Sequence, residues 1–523
     1  MRLSLNLKNV LNAPLWRDKN IELPVYDIEK ARQNTTENPA WLHFGSGNIF
    51  RGFIASLADS LLNGGFSDTG VIAAETYDTE IIERIYAPYD NLALNVILKP
   101  DGGCAVSVNA SVAQALTPQN DKERLINIVC KKSLRLITYT ITEKGYSLKN
   151  SDFSDEDNII CLTVFLLHRR FLAGGAPIAL VSLDNCSRNG DKLRKACMQT
   201  ALSFKEKGVA QTPFLEWLSS SENVSFPLTM IDKITPQPSD AVRAALEQSG
   251  FINIEPIKTK KQTFIAPYVN AEEAQHLIIE DNFPAGRPPL EKAGVLFTNK
   301  ECVHKAERMK VTALLNPLHT AAAAFGALLR KKTIADCMDD PDVFALVNRL
   351  GYTETLPIVS NPEIISPKAF LDECVKRLKN PYIPDAPQRI MIDTSQKMPV
   401  RFGETIKTYI ETNRDLSALT ALPLAIAAWF RYLLGADDFG RALELSYDPE
   451  NEALTRVLKY IKWNDPKSYE GQLSDILKNT ALFGCDLRKT PLFPIIEKMF
   501  VGMLTGKDAV RGTLQTYLGT VNK

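Results

Sequence analysis

The feature that most constrains the fold is a change of pattern at a proline-rich joint, residues 282–289. Before it, short apolar runs alternate with helical stretches, which is typical of a parallel sheet with crossover helices. After it, long helical periods dominate. The sequence therefore predicts an α/β protein, with a parallel-sheet domain over 1–290 and a mainly α-helical domain over 291–523.

Strands in the first domain are predicted where short apolar runs are bounded by turn-forming residues. These strands are 41–44, 71–74, 92–98, 136–140, 178–182 and 264–269. Helices of three to five turns are predicted in the second domain from apolar periodicity. These helices are 319–332, 335–351, 367–378, 416–434, 452–461 and 471–483.

The clearest local signal is a glycine turn between a predicted strand and an amphipathic helix. Gly45 and Gly47 follow the strand at 41–44, and the helix is predicted over 49–62. In a dinucleotide site the first glycine permits a tight turn, and the second lets the backbone approach the pyrophosphate at the helix N-terminus. Phe50 stands where a third glycine is usual, so an ordinary glycine turn is the alternative.

A second signal is the carboxylate that ends the next predicted strand. Glu75 lies 23 residues after Gly52, about where an acceptor for the ribose 2′-hydroxyl is expected. Asp78 is close enough to be the acceptor instead, and a solvated strand end is the remaining interpretation. An acid at this place favours NAD over NADP.

Composition excludes several kinds of partner. The 61 Lys and Arg residues balance 61 Asp and Glu residues, so no basic field favours nucleic acid or anionic lipid. The nine cysteines and five histidines show no zinc-ligand or disulfide spacing. The N-terminus lacks the apolar stretch of a secretory signal, and the longest uncharged apolar run, 421–430, is about half a membrane span. We expect a cytoplasmic enzyme without a metal, a membrane or a nucleic-acid partner.

Candidate catalytic residues are concentrated in 307–320, at the start of the second domain. A dehydrogenase without zinc needs a base for the hydroxyl proton and donors for the developing oxyanion. Lys310, Asn316 and His319 supply those groups, and the last two share a face if the segment is helical. Pro317 indicates that a helix starts nearby. A capped helix with one buried histidine is the alternative.

Asp184 and Asn185 follow the strand at 178–182 and therefore point beyond the carboxyl edge of the sheet. Taken with the segments above, the chain resembles the mannitol dehydrogenase family, the polyol-specific long-chain dehydrogenases and reductases. The resemblance covers nearly the whole chain, and it implies a Rossmann-type NAD-binding domain and a small-molecule sugar acid or polyol substrate held between two closing domains. The segments that resemble the family are 43–47 with Arg51, 140–146, 181–185, 226–236, 316–319 and 389–397.

The resemblance implies roles at the reacting centre. Lys310 would be the acid in ketone reduction and the base in alcohol oxidation, and Glu307 would relay its proton. Asn185 and Asn316 would hold the reacting oxygen, while His319 would orient the substrate. The cofactor-binding residues would be Gly45, Ser46, Gly47, Asn48 and Arg51 in the turn, with Glu75 or Asp78 at the ribose and Asp232 beside the cofactor.

One departure from the family concerns the spacing of the lysine. The family places it five residues before the asparagine, whereas Lys310 precedes Asn316 by six and Val311 takes the expected place. Either the helix contains a one-residue bulge, of the kind often found at functional sites, or the lysine assignment is wrong.

The expected substrate follows from the distal residues. Arg389 and Lys397 would bind distal oxygens, and Arg401 adds a third cation, which favours a carboxylate. The alternative is that the first two bind hydroxyls and Arg401 faces solvent. The resemblance, through the segments around Lys310 and Arg389, implies NADH-dependent reduction of fructuronate to mannonate, and we expect a monomer or small homo-oligomer. A mannitol or other polyol dehydrogenase is the alternative, and a non-catalytic nucleotide sensor is a more remote one.

Overall fold

The computed structural model describes residues 2–16, 19–146, 158–383 and 385–519. The chain divides into two compact units, Met1–His304 and Lys305–Lys523. The division falls after the proline-rich joint, because the strand Leu296–Thr298 still pairs with His276–Glu280 in the first unit. Residues 520–523, the end of the predicted second domain, lie outside the described residues.

The first unit contains the strands of the described chain. They are β1 (Ile21–Glu22), β2 (Trp41–Phe44), β3 (Val71–Ala74), β4 (Ala93–Leu98), β5 (Cys104–Asn109), β6 (Val112–Leu116), β7 (Leu136–Tyr139), β8 (Ile178–Ser182), β9 (Val224–Ser225), β10 (Thr229–Asp232), β11 (Ile257–Lys258), β12 (Phe264–Ile265), β13 (Tyr268–Glu272), β14 (His276–Glu280) and β15 (Leu296–Thr298).

Its main sheet has six parallel strands in the order β6-β3-β2-β7-β8-β9. This is the doubly wound order 3-2-1-4-5-6 of a Rossmann fold, so the predicted fold class is confirmed. Strands β2, β3, β7 and β8 are buried along their full length. Helices on both faces explain that burial, which is usual for parallel sheets.

The α-helices of this unit connect the strands. They are α1 (Leu7–Val10), α2 (Ile28–Glu37), α3 (Ala55–Asn63), α4 (Pro118–Cys130), α5 (Ile159–Leu172), α6 (Asn189–Glu206), α7 (Thr212–Ser219) and α8 (Asp240–Gln248). Two π-helical turns, Phe50–Ile54 and Ile82–Tyr86, also lie here, and the first of them begins the helix predicted over 49–62.

Two strand predictions were wrong in part. The strand predicted at 92–98 forms as β4, but it lies in a second sheet of order β1-β5-β4-β13 and pairs antiparallel with β5. The strand predicted at 264–269 is two strands, β12 and β13, with Pro267 between them. Proline has no N–H for the sheet ladder, so it interrupts the pairing.

The second unit is almost wholly helical. Its α-helices are α9 (Lys300–Arg308), which contains the division, α10 (Asn316–Leu328), α11 (Ile334–Asp339), α12 (Pro341–Asn348), α13 (Pro367–Leu378), α14 (Pro387–Met391), α15 (Thr394–Met398), α16 (Glu404–Glu411), α17 (Ala421–Tyr432), α18 (Asn451–Leu458), α19 (Leu473–Leu477), α20 (Thr480–Phe483), α21 (Leu492–Gly502) and α22 (Ala509–Leu518). The π-helical turns are Met309–Leu314, Arg349–Thr355 and Pro399–Gly403.

Its core forms around α10 and α17. Every residue of α17 is buried, and so is every residue of α10 except Asn316 and His319. Gly326 lets α11 and α14 approach α10 closely, since a Cβ there would lie 2.4 Å from Cys337 Sγ and 3.0 Å from Pro387 Cγ. The small residue therefore brings α14, which carries Arg389, against the helix that carries His319.

Three predicted helices were too long. The one at 335–351 breaks between α11 and α12, because the Asp340 side chain accepts from the first N–H groups of α12 ahead of Pro341. The one at 471–483 is α19 and α20, and Asn479 caps the second. The one at 416–434 becomes α17, which starts only at Ala421.

One helical stretch of the described chain, Lys300–Leu328, is long and apolar enough to cross a membrane by length and composition, although the longest uncharged apolar run lies elsewhere, at 421–430. In the structure 78% of its most apolar window is buried inside the protein. From Met309 onward its apolar side chains belong to the core of the second unit. We therefore interpret it as a core helix.

Candidate active site

The glycine turn lies at the carboxyl end of β2, between its two neighbours β3 and β7. This is the point where the strand order reverses, at which doubly wound sheets bind ligands. Gly45 has φ +106°, and a Cβ on it would lie 2.3 Å from the Thr140 carbonyl oxygen, so only glycine fits there. A Cβ on Gly47 would have nothing within 4 Å, which leaves that backbone open to a ligand.

His43 supports the turn from within the sheet. Its Nδ1 lies 2.7 Å from Thr138 Oγ1, its Nε2 lies 2.9 Å from the Gly45 carbonyl oxygen, and its ring stacks on Phe50 with centroids 4.2 Å apart. Burial lowers the pKa of His43 to about 3, so the ring is neutral. Phe50, at the position where a third glycine is usual, therefore packs by stacking on His43. The close approach of the helix to a strand occurs instead at Gly52, where a Cβ would lie 3.0 Å from Val269 Cγ2.

The two candidate ribose acceptors already accept hydrogen bonds from groups of the protein. Glu75 accepts from the backbone N–H groups of Ser46 at 2.7 Å, Tyr77 at 2.9 Å and Asp78 at 3.2 Å. Asp78 accepts from Thr259 Oγ1 at 2.7 Å. Glu75 therefore fixes the glycine turn against β3, and contact of either acid with a ribose stays a prediction.

Polar atoms beside the turn fit a phosphate-bearing ligand. Within the described chain, Ser46 Oγ, Asn48 Oδ1 and Arg51 Nη2 are buried and have no hydrogen-bond partner. Arg51 is anchored by its other nitrogen, since Nη1 donates to the Ala266 carbonyl at 2.7 Å. Tyr86 donates to the Ser46 carbonyl at 2.9 Å and so fixes the same loop. Buried polar atoms usually find a partner, and a bound pyrophosphate would accept hydrogen bonds from Ser46 Oγ and Arg51 Nη2, although not from Asn48 Oδ1, which is itself an acceptor.

The other predicted residues of this unit lie at strand ends. Asp184 accepts from Tyr146 Oη at 2.5 Å and from the Thr142 N–H at 2.8 Å, so it holds the turn after β7. Asn185, the next residue, is exposed. Asp232 is buried at the end of β10. The side chains of residues 143 and 144, within the 140–146 segment, are not described.

In the second unit, Lys310 lies in the π-helical turn Met309–Leu314, where the Leu315 N–H donates to the Lys310 carbonyl, five residues back, at 3.2 Å. A π turn holds one residue more than an α turn. The one extra residue in the spacing between Lys310 and Asn316 is thereby accommodated, so the structure has the bulge that was one of the two alternatives, and the role of Lys310 stays a prediction. Lys310 and Glu307, one turn earlier, are both buried.

Arg401 reaches the first turns of α10. Its Nη1 donates to Thr320 Oγ1 at 2.5 Å and to the Asn316 carbonyl at 3.5 Å. These contacts show that Arg401, which lies in the π-helical turn Pro399–Gly403, does not simply face solvent. π-Helical turns carry Arg51, Lys310 and Arg401, three of the predicted site residues, as is common at functional sites.

Arg389 is joined to His319 through Asp385. The Arg389 Nε and Nη2 groups each donate to the Asp385 carboxylate at 2.5 Å, and His319 Nε2 lies 3.3 Å from Asp385 Oδ2. Burial alone would raise the pKa of Asp385, but His319 and Arg389 hold it at about 2. Burial lowers the pKa of His319, and Arg401 and Arg389 lower it further against the raising effect of Asp385.

The three predicted cations lie close enough to affect one another. Lys397 Nζ donates to the Ile390 carbonyl at 2.9 Å and to the Ile392 carbonyl. Burial, then Arg401 and Arg389, lowers the pKa of Lys397 to about 8. Burial and then Arg389 lower the pKa of Arg401 to about 10. We refer to Arg389, Lys397 and Arg401 as the cation cluster.

Sequence reasoning missed three residues of these sites. Asp385 had a signal in its spacing of four residues from Arg389, although it lies before α14 and not on the helix. Thr320 and Tyr86 had none, because their partners are distant in sequence. Among the described residues, no group of three or more His, Cys, Asp or Glu side chains is placed to hold a metal ion.

Comparison with protein-family models matches both parts of the chain. Residues 39–292 match the mannitol dehydrogenase Rossmann domain, and residues 302–498 match the mannitol dehydrogenase C-terminal domain. The chain belongs to the mannitol dehydrogenase family. The predicted family is therefore confirmed.

Individual members of the mannitol dehydrogenase family align over most of their length. The D-mannonate oxidoreductase of Thermotoga maritima is 45% identical over 98% of this chain and 99% of its own. The polyol:NADP oxidoreductase of Gluconobacter oxydans is 27% identical over 84% of this chain and 88% of its own. The solved Pseudomonas fluorescens mannitol 2-dehydrogenase, a ternary complex with NAD and D-mannitol, is 25% identical, has a TM-score of 0.72, and covers 99% of this chain and 100% of that one.

Proposed function

We propose that the protein is an NAD-dependent fructuronate reductase, which interconverts fructuronate and mannonate. The observation that carries the substrate class is the cation cluster. Arg401 is anchored on Thr320 and Arg389 is linked to His319 through Asp385, so both cations lie at the first turns of α10. A sugar acid has a carboxylate to pair with such cations, whereas a neutral polyol has none. The 45% identity to a D-mannonate oxidoreductase supports the same reaction.

The glycine turn would hold the cofactor. The Gly47 backbone is open, and Ser46 Oγ and Arg51 Nη2 are donors without a protein partner among the described residues. Asn48 would line the same place, Asp232 would lie beside the cofactor, and Glu75 or Asp78 would meet the ribose. When bound, NADH supplies the hydride that reduces the ketone carbon.

The remaining chemistry belongs to side chains. Lys310 Nζ would donate its proton to the ketone oxygen as that oxygen gains charge, and Glu307 would return a proton to Lys310. Asn185 and Asn316 would donate hydrogen bonds to the same oxygen. The π turn supports the lysine assignment, because it accommodates a lysine placed six residues before the asparagine.

The distal end of the substrate would meet the cation cluster. Arg389 uses Nε and Nη2 for Asp385, so its Nη1 group is the edge not engaged by that carboxylate. Lys397 holds the carbonyls that end α14, and its ammonium lies near both arginines. We propose that the substrate carboxylate binds there and that His319 orients a neighbouring hydroxyl.

We further propose a cytoplasmic monomer or small homo-oligomer.

The test measures NADH oxidation by the purified protein with fructuronate, tagaturonate and fructose. It also measures NAD reduction with a panel of polyols. Mannonate should be the product, identified by chromatography against an authentic standard. Preference for fructose or mannitol would replace the proposal with the polyol dehydrogenase alternative. No turnover of any substrate, together with tight NADH binding, would favour a nucleotide sensor.

A further inference from the structure

One carboxylate contacts two of the predicted substrate residues. Asp385 is buried, with 7% of its surface exposed, immediately before α14. Oδ1 accepts from Arg389 Nε and Oδ2 from Arg389 Nη2. Oδ2 also lies 3.3 Å from His319 Nε2, a buried nitrogen that makes no aligned hydrogen bond with the described residues. Its backbone is fixed as well, because the Ile334 N–H donates to the Asp385 carbonyl at 2.8 Å. The carboxylate is therefore a rigid reference point for both side chains.

The chemistry of that contact decides the tautomer of His319. An ionised carboxylate only accepts hydrogen bonds, so it repels a bare nitrogen lone pair at 3.3 Å. The negative charge of Asp385 therefore favours a proton on Nε2, the ring nitrogen that lies next to it. The charged groups around the ring are Asp385, Arg389 and Arg401, and with burial their net effect lowers the pKa of His319. A neutral imidazole with its proton on Nε2 leaves Nδ1 as a hydrogen-bond acceptor.

We propose that Asp385 is a positioning residue that holds His319 in its Nε2–H tautomer, so that Nδ1 accepts a hydrogen bond from a hydroxyl of the substrate. The identity of that hydroxyl rests on the proposed function, since it belongs to a sugar acid. The same carboxylate sets the orientation of the Arg389 guanidinium. Asp385 thus links the residue that orients the sugar to one that binds its carboxylate.

The tautomer can be measured without turnover. In protein labelled with ¹⁵N-histidine, the signals of His319 are assigned by comparison with His319→Gln. In the substrate-free wild type we expect a protonated Nε2 and an unprotonated Nδ1 at pH 7.5. A proton on Nδ1 instead, or a doubly protonated ring, would overturn the proposal. This result stands even if fructuronate is not reduced, so failure of the inference and failure of the proposed function are distinguishable.

Variants test the role of the carboxylate. Asp385→Asn offers one acceptor and one donor in place of two acceptors, so it cannot serve both Arg389 and the imidazole N–H. We expect the His319 tautomer to become mixed or reversed and kcat to fall about 10- to 100-fold, the range for groups that orient a functional residue. NADH affinity should stay unchanged. Asp385→Glu, which keeps the charge, should restore part of kcat and the Nε2–H signal.

Asp340→Asn is the matched control. Asp340 is also a buried carboxylate of this unit, paired with Arg511 and Lys331 at 2.7 Å, and it does not contact His319. Its loss should lower the melting temperature while leaving kcat and the His319 signals as in the wild type. An equal loss of kcat in both variants, or an unchanged tautomer in Asp385→Asn, would contradict a positioning role.

Discussion

The glycine turn of the first unit and the cation cluster of the second are built in different ways. The turn depends on backbone: Gly45 in a left-handed conformation, an open Gly47, and backbone N–H groups held by Glu75. The cation cluster depends on side chains that meet from separate helices. One of its members, Arg401, lies in a π turn, and the proposed catalytic Lys310 lies in another. Backbone sites leave a local pattern in the sequence, whereas sites assembled from several helices do not.

The largest expected effect lies in the second unit. Lys310→Met should lower kcat at least about 100-fold, because a positioned acid or base contributes about that much or more. NADH affinity should be nearly unchanged, as the first unit keeps its glycine turn. Stopped-flow reduction and NADH titration measure the two quantities. Lys305→Met, on α9, is the control and should retain turnover, and wild-type turnover in Lys310→Met would move the assignment elsewhere.

A pair of glycine variants tests the first unit. Gly45→Ala should lower the free energy of unfolding by roughly 1–3 kcal/mol or more, since it adds strain at positive φ and a Cβ 2.3 Å from the Thr140 oxygen. Gly47→Ala should change stability by less than about 0.5 kcal/mol, because its Cβ meets nothing. It should nevertheless weaken NADH binding. Thermal melts and NADH titrations decide this, and equal destabilisation by both would show that the turn geometry is misjudged.

Cofactor preference tests the acids beside the turn. NADH should exceed NADPH in kcat/KM by at least about fivefold, since a like-charge contact near a surface costs on the order of 1 kcal/mol or more. The comparison uses both cofactors at saturating fructuronate. One relative, the polyol:NADP oxidoreductase of Gluconobacter oxydans, is named for NADP. Equal efficiency would mean that neither Glu75 nor Asp78 reaches the ribose.

The smallest expected effect is that of chelation. Activity should be unchanged after prolonged dialysis against EDTA, because a lysine rather than a metal-bound water is proposed as the acid. Assays before and after dialysis, with a zinc enzyme treated in parallel, check it. Activity lost with EDTA and regained with zinc would contradict this mechanism.

The glycine turn and its flanking strands could be predicted from the sequence because they rest on local pattern. Strands 41–44, 71–74 and 178–182 have the bounds of β2, β3 and β8. The break at Pro267 and the separation of α11 from α12 depend on single residues that interrupt a long apolar pattern. Apolar periodicity does not indicate where such a residue ends a strand or a helix.

The second site followed from the family resemblance rather than from spacing. The spacing of six between Lys310 and Asn316 indicated either a one-residue bulge or a wrong lysine assignment, and the structure has a π turn there. The contact of Asp385 with His319 joins α10 to the start of α14 and depends on the close packing at Gly326. No local pattern reports a contact of that kind.

The most direct test of the account compares kcat/KM for fructuronate and for fructose in the wild type and in Arg389→Ala. A hydrogen bond to a charged group contributes about 1.5–3 kcal/mol, so pairing of the substrate carboxylate with the cation cluster should make the wild type prefer fructuronate by roughly 10- to 150-fold. Arg389→Ala should reduce that preference mainly by weakening fructuronate. Equal efficiency with the two sugars in the wild type, or an equal loss for both in the variant, would contradict the claim that the cation cluster binds a carboxylate.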